Sequence, residues 1–239
     1  MTSTGPVGVA SVRVAIVEDE TLFSGLLHSA LDSLNLFEVV ACIPDGDAAL
    51  RILPDLAPDA VVVDIFLNGA MTGLEIGVAL REVLPEVGIV VLSSHLDPAL
   101  LYALRPESCI GWSFLDKRTI SNIEVVARAI KASVSGDIAL DESLIMDIEG
   151  ARNAGGLAKS IHGSAAPLTA RQEEIMFLIA QGYTNAGIAK RLWLSERTVE
   201  HHIADIYIRL GIDSVDAECH PRVMAVLSWL KRDGTGVHA

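Results

Sequence analysis

Five residues of this chain have the types that hold and transfer an anionic group: Glu18, Asp19, Asp64, Ser93 and Lys117. They are far apart in sequence, yet each stands where an apolar run ends. Asp64 follows Ala60 to Val63, small and β-branched residues that read as a strand buried on both faces. A charge does not belong inside such a strand, so Asp64 falls at its carboxyl end, where open α/β sheets build their ligand sites. Glu18 and Asp19 follow Val12 to Val17, Ser93 follows Val87 to Leu92, and Lys117 closely follows Ile110 to Leu115. If these strands are parallel, all the ends lie on one edge of one sheet. Three converging carboxylates raise one another's pKa unless a cation joins them. A hard divalent ion such as Mg²⁺ is the natural partner, because it takes one or two carboxylates, water and a phosphoryl oxygen. Lys117 would then meet the remaining oxygens as a point charge. Singly, each residue also fits a plainer reading: a carboxylate after a strand accepts backbone hydrogen bonds in the turn, or is an unrelated surface charge.

The elements that must position these groups follow from hydrophobic period. Between the runs at 12–17, 37–43, 60–63, 87–92 and 110–115 lie stretches of helical spacing at 21–34, 45–56 and 73–84, a short one opened by Asp97-Pro98, and one from about Ser121 to Val134. Pro54 or Pro58 is expected to end the second helix. Five strands alternating with five helices imply an α/β doubly wound, five-stranded parallel sheet. Residues 136–167 read as a linker with a short helix near Ser143 to Ile148 and a Gly-rich stretch beginning at Gly150. Residues 168–232 are wholly helical in pattern, and 1–11 and 233–239 read as disordered tails.

Composition narrows the class. Residues 11–135 carry 8 Lys and Arg against 17 Asp and Glu, a net of -9, so this half repels nucleic acid; residues 168–239 carry 8 against 9, a net of -1. Cys42, Cys109 and Cys219 are scattered and read as small buried hydrophobes in a reducing compartment. With no run long enough to span a bilayer and no basic-then-apolar start, a cytoplasmic protein without a membrane partner is expected.

Taken in order, the strand-end residues of 12–135 resemble the receiver domain of two-component response regulators. The resemblance implies a flavodoxin-like sheet of order 2-1-3-4-5. It makes Asp64 the phosphoacceptor for a sensor histidine kinase, Asp19 a direct Mg²⁺ ligand, Glu18 a ligand through water, and the backbone carbonyl of Phe66 the rest of the protein's share. Ser93 becomes the switch hydroxyl, Lys117 the phosphate-binding lysine, and Phe114 the aromatic that turns inward when Ser93 moves. Three departures stand out. Asn68 occupies the usual place of Pro in a loop one residue longer than common, Asp116 replaces an apolar residue, and Arg118 stands where Pro or Asp is frequent.

In the carboxy-terminal part, Thr169 and Gln172 form a capping box. Ile175, Leu178 and Ile179 face inward on a first helix, Ile188, Ala189 and Leu192 on a second, and Val199, Ile203, Ile206 and Leu210 on a third capped by Ser195. Period alone fits helix-turn-helix and plain helical bundle equally. The run Leu168-Thr-x-Arg-x-x-Glu174-Ile175, with Leu194-Ser-Glu-Arg-Thr-Val-Glu-His-His-Ile203 and Arg209-Leu-Gly211, is similar to the LuxR-type output domain, a four-helix helix-turn-helix unit. With the receiver, this is the NarL/FixJ architecture. The resemblance implies that Glu200, His201 and Ala204 reach base edges of double-stranded DNA, while Lys190, Arg197 and Thr198 meet phosphates. Such a cation-poor face implies a weak monomeric complex that needs a homodimer to hold its site.

The expected function is therefore a non-enzymatic, phosphorylation-controlled transcription regulator with no small-molecule substrate. An orphan regulator with an inert receiver, a phospho-signalling adaptor that does not read DNA, and, last, a Mg²⁺-dependent phosphatase are the rivals.

Overall fold

The computed structural model describes residues 11–94, 110–146, 168–212 and 220–231. The expected short helix after Asp97, the Gly-rich linker and both tails lie outside the described residues. The first half alternates as expected: β1 (Val12–Val17), α1 (Thr21–Ser33), β2 (Phe37–Ile43), α2 (Gly46–Leu56), β3 (Ala60–Asp64), α3 (Gly73–Val83), β4 (Gly88–Ser93), β5 (Trp112–Asp116) and α4 (Ile123–Val134). The sheet is parallel throughout, and its order is β2-β1-β3-β4-β5-β6.

The sixth strand corrects the expectation of five. β6 (Ala139–Leu140) lies in the stretch read as linker and pairs with Ser113 and Phe114 of β5. The Ser113 hydroxyl accepts the Ala139 N–H at 3.1 Å, and Asp141 N–H donates to the Phe114 carbonyl at 2.8 Å. Two residues carry no period, so nothing in the local pattern announced the strand. A helical turn at 142–146 follows, started by Asp141, which accepts from Ser143 N–H at 2.9 Å.

Every residue of β3, β4 and β5 is buried, as the unbroken apolar runs require. α2 and α3 cover one face of the sheet, where Val61, Val63, Ile76, Leu80 and Trp112 form a continuous core; α1 and α4 cover the other, around Val62, Leu31, Val126 and Ile130. Of the two prolines expected to end α2, Pro54 does not; the helix continues to Leu56 and stops at Ala57 in the left-handed region (φ 42°), the residue before Pro58. In the last turn a missing N–H costs one bond only. On α1, Leu22 and Leu26 are 71% and 62% exposed, so the apolar stripe there is wider than the face the sheet buries. Cys42 is exposed, against the expectation of a buried thiol; Cys109 and Cys219 lie outside the described residues.

The second half is helical: α5 (Ala170–Ala180), α6 (Asn185–Leu192), α7 (Glu196–Leu210) and α8 (Pro221–Lys231). The Thr169–Gln172 capping box and the Ser195 cap are both formed, and Thr184 caps α6. Ile175, Ile188, Val199 and Ile206 are fully buried around Val223 and Val226 of α8.

The α5–α6 turn and the start of α8 meet the sheet edge. Arg128 of α4 donates to the Gln181 carbonyl at 2.9 Å and lies over the Tyr183 ring at 4.2 Å. Asp137 stands 3.5 Å from His220 and 3.7 Å from Arg222. Burial pushes the Asp137 carboxyl above its ordinary pKa, and the two basic neighbours oppose that rise. Gly182 (φ 76°) closes the turn against Ala132 and Ala139, where a side chain would collide.

Gly73 opens α3 directly against the backbone carbonyl of Asp64, so even a methyl group there strikes the end of β3. Gly73→Ala should lower stability by about 1–3 kcal/mol through overpacking, read as a lower urea midpoint with an unchanged slope.

Candidate functional site

β1, β3 and β5 run parallel and side by side with β4, so their carboxyl ends deliver Glu18, Asp19, Asp64 and Lys117 to one edge. One carboxylate oxygen from each of Glu18, Asp19 and Asp64 can be chosen so that all three lie within 4.8 Å of one another. The Lys117 ammonium bridges two of these groups, at 2.7 Å from Glu18 Oε2 and 2.8 Å from Asp64 Oδ2. These side chains are nearly out of water: Lys117 is 11% exposed, Glu18 2% and Asp64 10%. The Phe23 ring of α1 lies 4.7 Å from the ammonium and shields it further.

Electrostatics follow from that burial. Desolvation is the largest influence on Glu18 and raises its pKa; the shared Lys117 pulls it down, and the Asp64 charge adds to the rise. Burial alone would lower the Lys117 pKa, but hydrogen bonds to Asp64 and Glu18 and their charges outweigh it, so the net shift is upward. Three carboxylates and one ammonium leave a formal charge of -2 in a pocket of oxygen donors. That donor set suits a hard divalent cation.

The remaining expected residues surround the cluster. Asp64 pairs with Leu92, which sets Ser93 one residue further along β4, fully buried, with its carbonyl accepting Lys117 N–H at 2.8 Å. Phe66 N–H donates to Asp64 Oδ1 at 3.3 Å, while the Phe66 side chain faces solvent. Phe114 is fully buried, stacked on Trp112 at 6.1 Å and paired with Leu140 of β6.

Of the three departures, Asp116 is buried and its carboxylate receives the Arg118 guanidinium, at 2.6 Å from the terminal nitrogen. Alternation along β5 had left its direction open. Asn68 reaches the site: its backbone N–H donates to Asp19 Oδ2 at 3.3 Å, and its side-chain amide donates to the same oxygen. Asp141 was missed altogether; it receives the Thr119 hydroxyl at 2.5 Å and Asp116 N–H at 3.4 Å, tying the loop after β5 to β6. Its only trace in sequence is an Asp-x-Ser pair in presumed linker.

On α7, Arg197, Glu200, His201 and Ala204 are exposed on one outer face, with Lys190 exposed on α6. Thr198 is half-buried, its hydroxyl 2.7 Å from that of Ser195. His201 is exposed and His202 half-buried.

A parallel sheet with this acid–lysine edge, followed by a four-helix unit, defines a class that comparison with known proteins matches. Residues 14–119 fit the response regulator receiver domain model and residues 166–217 the model of bacterial regulatory proteins of the luxR family. The chain is 29% identical over 205 residues to a probable transcriptional regulatory protein NarL of Mycobacterium tuberculosis, covering 84% of this chain and 88% of that one. It is 28% identical over 201 residues to the transcriptional regulatory protein LiaR of Bacillus subtilis, covering 84% and 92%. In fold it is similar to the RcsB response regulator of Salmonella typhimurium, with a TM-score of 0.52 and 21% identity over 92% of this chain and 99% of that one. The chain belongs to the NarL/FixJ family of response regulators, transcriptional regulators rather than enzymes. Among the described residues no helix is long and apolar enough to cross a membrane.

Removing the ammonium tests how the cluster is held. Lys117→Met leaves two buried carboxylates facing each other and should cost about 3–5 kcal/mol at neutral pH without added metal. Lys117 pulls the Glu18 pKa down, so its removal raises that pKa further and the folded variant takes up the proton at higher pH than the folded native chain. The loss should therefore shrink as pH falls through the Glu18 pKa, read by urea unfolding of both proteins across an acid pH series.

Proposed function

We propose that the chain is a cytoplasmic, phosphorylation-controlled transcription regulator in which Asp64 accepts a phosphoryl group from the phosphohistidine of a sensor kinase. The observation that carries this reading is the Lys117 ammonium held between Glu18 and Asp64 beside Asp19. An Asp64 carboxylate oxygen forms the new P–O bond as the P–N bond to the donor imidazole breaks, and the imidazole nitrogen leaves with its electron pair. Glu18, Asp19, Asp64 and the Phe66 carbonyl would hold Mg²⁺, which supplies charge neutralisation for the transferring phosphoryl oxygens. Lys117 already touches Asp64, so it passes from the free carboxylate to a phosphoryl oxygen with a short movement. The Ser93 hydroxyl takes another of these oxygens. The added charge of roughly -1.5 to -2 then pulls on the loop that Asp116, Thr119 and Asp141 bind to β6.

The output unit rests against that same edge through Arg128 and Asp137, while the outer face of α7 stays open. Phosphorylation loosens this seam and lets two output units pair on a DNA site with two half-sites. Glu200, His201 and Ala204 read bases there, and Lys190, Arg197 and Thr198 hold phosphates. With Asp116 held by Arg118, that carboxylate does not stand against phosphate binding, which removes one motive for an inert receiver.

Intact mass after incubation with acetyl phosphate and Mg²⁺ should show one added phosphoryl on the native chain, none on Asp64→Asn, and none after chelation. The phosphorylated chain should elute as a dimer and bind its DNA more tightly. An unmodified mass with both acetyl phosphate and kinase, together with no binding of a beryllofluoride mimic, overturns the reading.

A further inference from the structure

We propose that Asn68 is a positioning residue for the cation site, holding Asp19 in its ligating orientation. The inference rests on the reading of Glu18, Asp19 and Asp64 as a divalent-cation site.

Glu18 and Asp64 are anchored by Lys117, whereas Asp19 is the most exposed of the three acids and sits in the loop after β1. A carboxylate at such a place has free rotation to lose before it can bind an ion. Asn68 removes that freedom from across the cleft, with a backbone N–H and a side-chain amide converging on one oxygen, Oδ2. Two donors on Oδ2 leave the second oxygen of the same carboxylate as the one to turn toward the ion.

Two readings of this clamp differ in sign. Asn68 either competes with the cation for Asp19 or prepares Asp19 for it. The geometry favours preparation: the clamp is closed while one ligand oxygen from each of the three acids lies within 4.8 Å of the others, so holding Asp19 and grouping the acids go together. The chemistry of the donor agrees. A Lys or Arg at 68 would also hold Asp19 but would repel a divalent cation, while an amide holds the carboxylate at no cost in charge. Pro, the residue usual here in the domains this chain resembles, could make neither bond, since it lacks both an N–H and a side-chain donor. The longer loop and the Asn are then one device, and a position that looked like a defect supports the site. Partners of metal ligands in comparable positions are worth about 10–100-fold in metal affinity.

Calorimetric titration with Mg²⁺ alone compares the native chain with Asn68→Ala, with metal-free thermal unfolding as the check that both fold. Asn68→Ala should bind Mg²⁺ at least about tenfold more weakly. Its rate of phosphorylation by acetyl phosphate should need correspondingly more Mg²⁺ for half-saturation yet reach the native maximum, a shift that general loosening would not produce. In the native chain the side-chain amide resonances of Asn68 should move on Mg²⁺ addition and stay still in Asp19→Asn, a measurement that stands even if the Ala variant misfolds. Native-level Mg²⁺ affinity in Asn68→Ala, tighter binding, or amide resonances blind to Mg²⁺ would overturn the role of Asn68 while leaving the phosphoacceptor reading intact. No Mg²⁺ binding by the native chain would instead fail that reading, and this inference with it.

Discussion

The cation between Glu18 and Asp64 is the interaction on which the rest of the structure depends. Taking two carboxylates and an ammonium out of water costs several kcal/mol per ion, and only close pairing recovers it. The distances of 2.7 and 2.8 Å supply that pairing, and they are possible only where the ends of β1, β3 and β5 converge. The sheet order is thus a condition of the charge cluster. Its parallel strands, buried on both faces, bring residues from positions 18, 64 and 117 within one hydrogen bond of one another. The pairing is also incomplete: one ammonium cannot neutralise three acids, and the Asp64 charge adds to the rise that burial gives the Glu18 pKa. A site left short of positive charge is a site poised for a cation.

How much of this was legible in the sequence depends on how long each pattern is. Runs such as Ala60 to Val63 and Gly88 to Leu92 announce buried strands, and the acids that end them can point only into the loops at one edge. Caps were legible for a similar reason, since Thr169 with Gln172 and Ser195 with Thr198 are local chemistry that needs no tertiary partner. What failed was short or relational. β6 is two residues long and owes its existence to the β5 edge, where the Ser113 hydroxyl and the Phe114 carbonyl fix it. Asp116 could not be oriented because its partner, Arg118, is two residues away on a side chain free to go either way. The Asn68 contact spans 49 positions, and no local rule reaches that far. Leu22 and Leu26 showed helical period without telling that they stand outside.

The added strand changes what the site is connected to. In a five-stranded sheet β5 would be an open edge, and Phe114 would sit beside solvent. Here Leu140 pairs with Phe114, and Asp141 receives both Asp116 N–H and the Thr119 hydroxyl, so the loop carrying Lys117 is tied to the chain that leaves the domain. β6 in turn meets Gly182, and Asp137, just before it, meets His220 and Arg222. From the ammonium to the output helices there is a continuous run of hydrogen bonds, ion pairs and packed side chains. Contiguity of this kind is a route that coupling can take, and it becomes one only if an element along it has two arrangements.

The loop at 116–119 has the features of such an element. It is short, it is anchored at Ser93 on one side and Asp141 on the other, and its lysine holds two free carboxylates that phosphoryl oxygens would replace in the proposed cycle. In the proposed cycle a change of partner moves the ammonium and strains the loop against Asp141. Phe114, fully buried, stacked on Trp112 and paired with Leu140, links that loop to β6. In that cycle the displacement passes into β6, to which the loop is tied through Asp141. β6 is buried and shares its apolar core with the output unit, but it holds to the sheet over only two residues, whereas β4 and β5 pair over five; beside that core the contact with the output unit runs through the ion pairs of Asp137. The weaker attachment yields first, so the seam at Asp137, His220 and Arg222 is where a phosphoryl group on Asp64 would be felt.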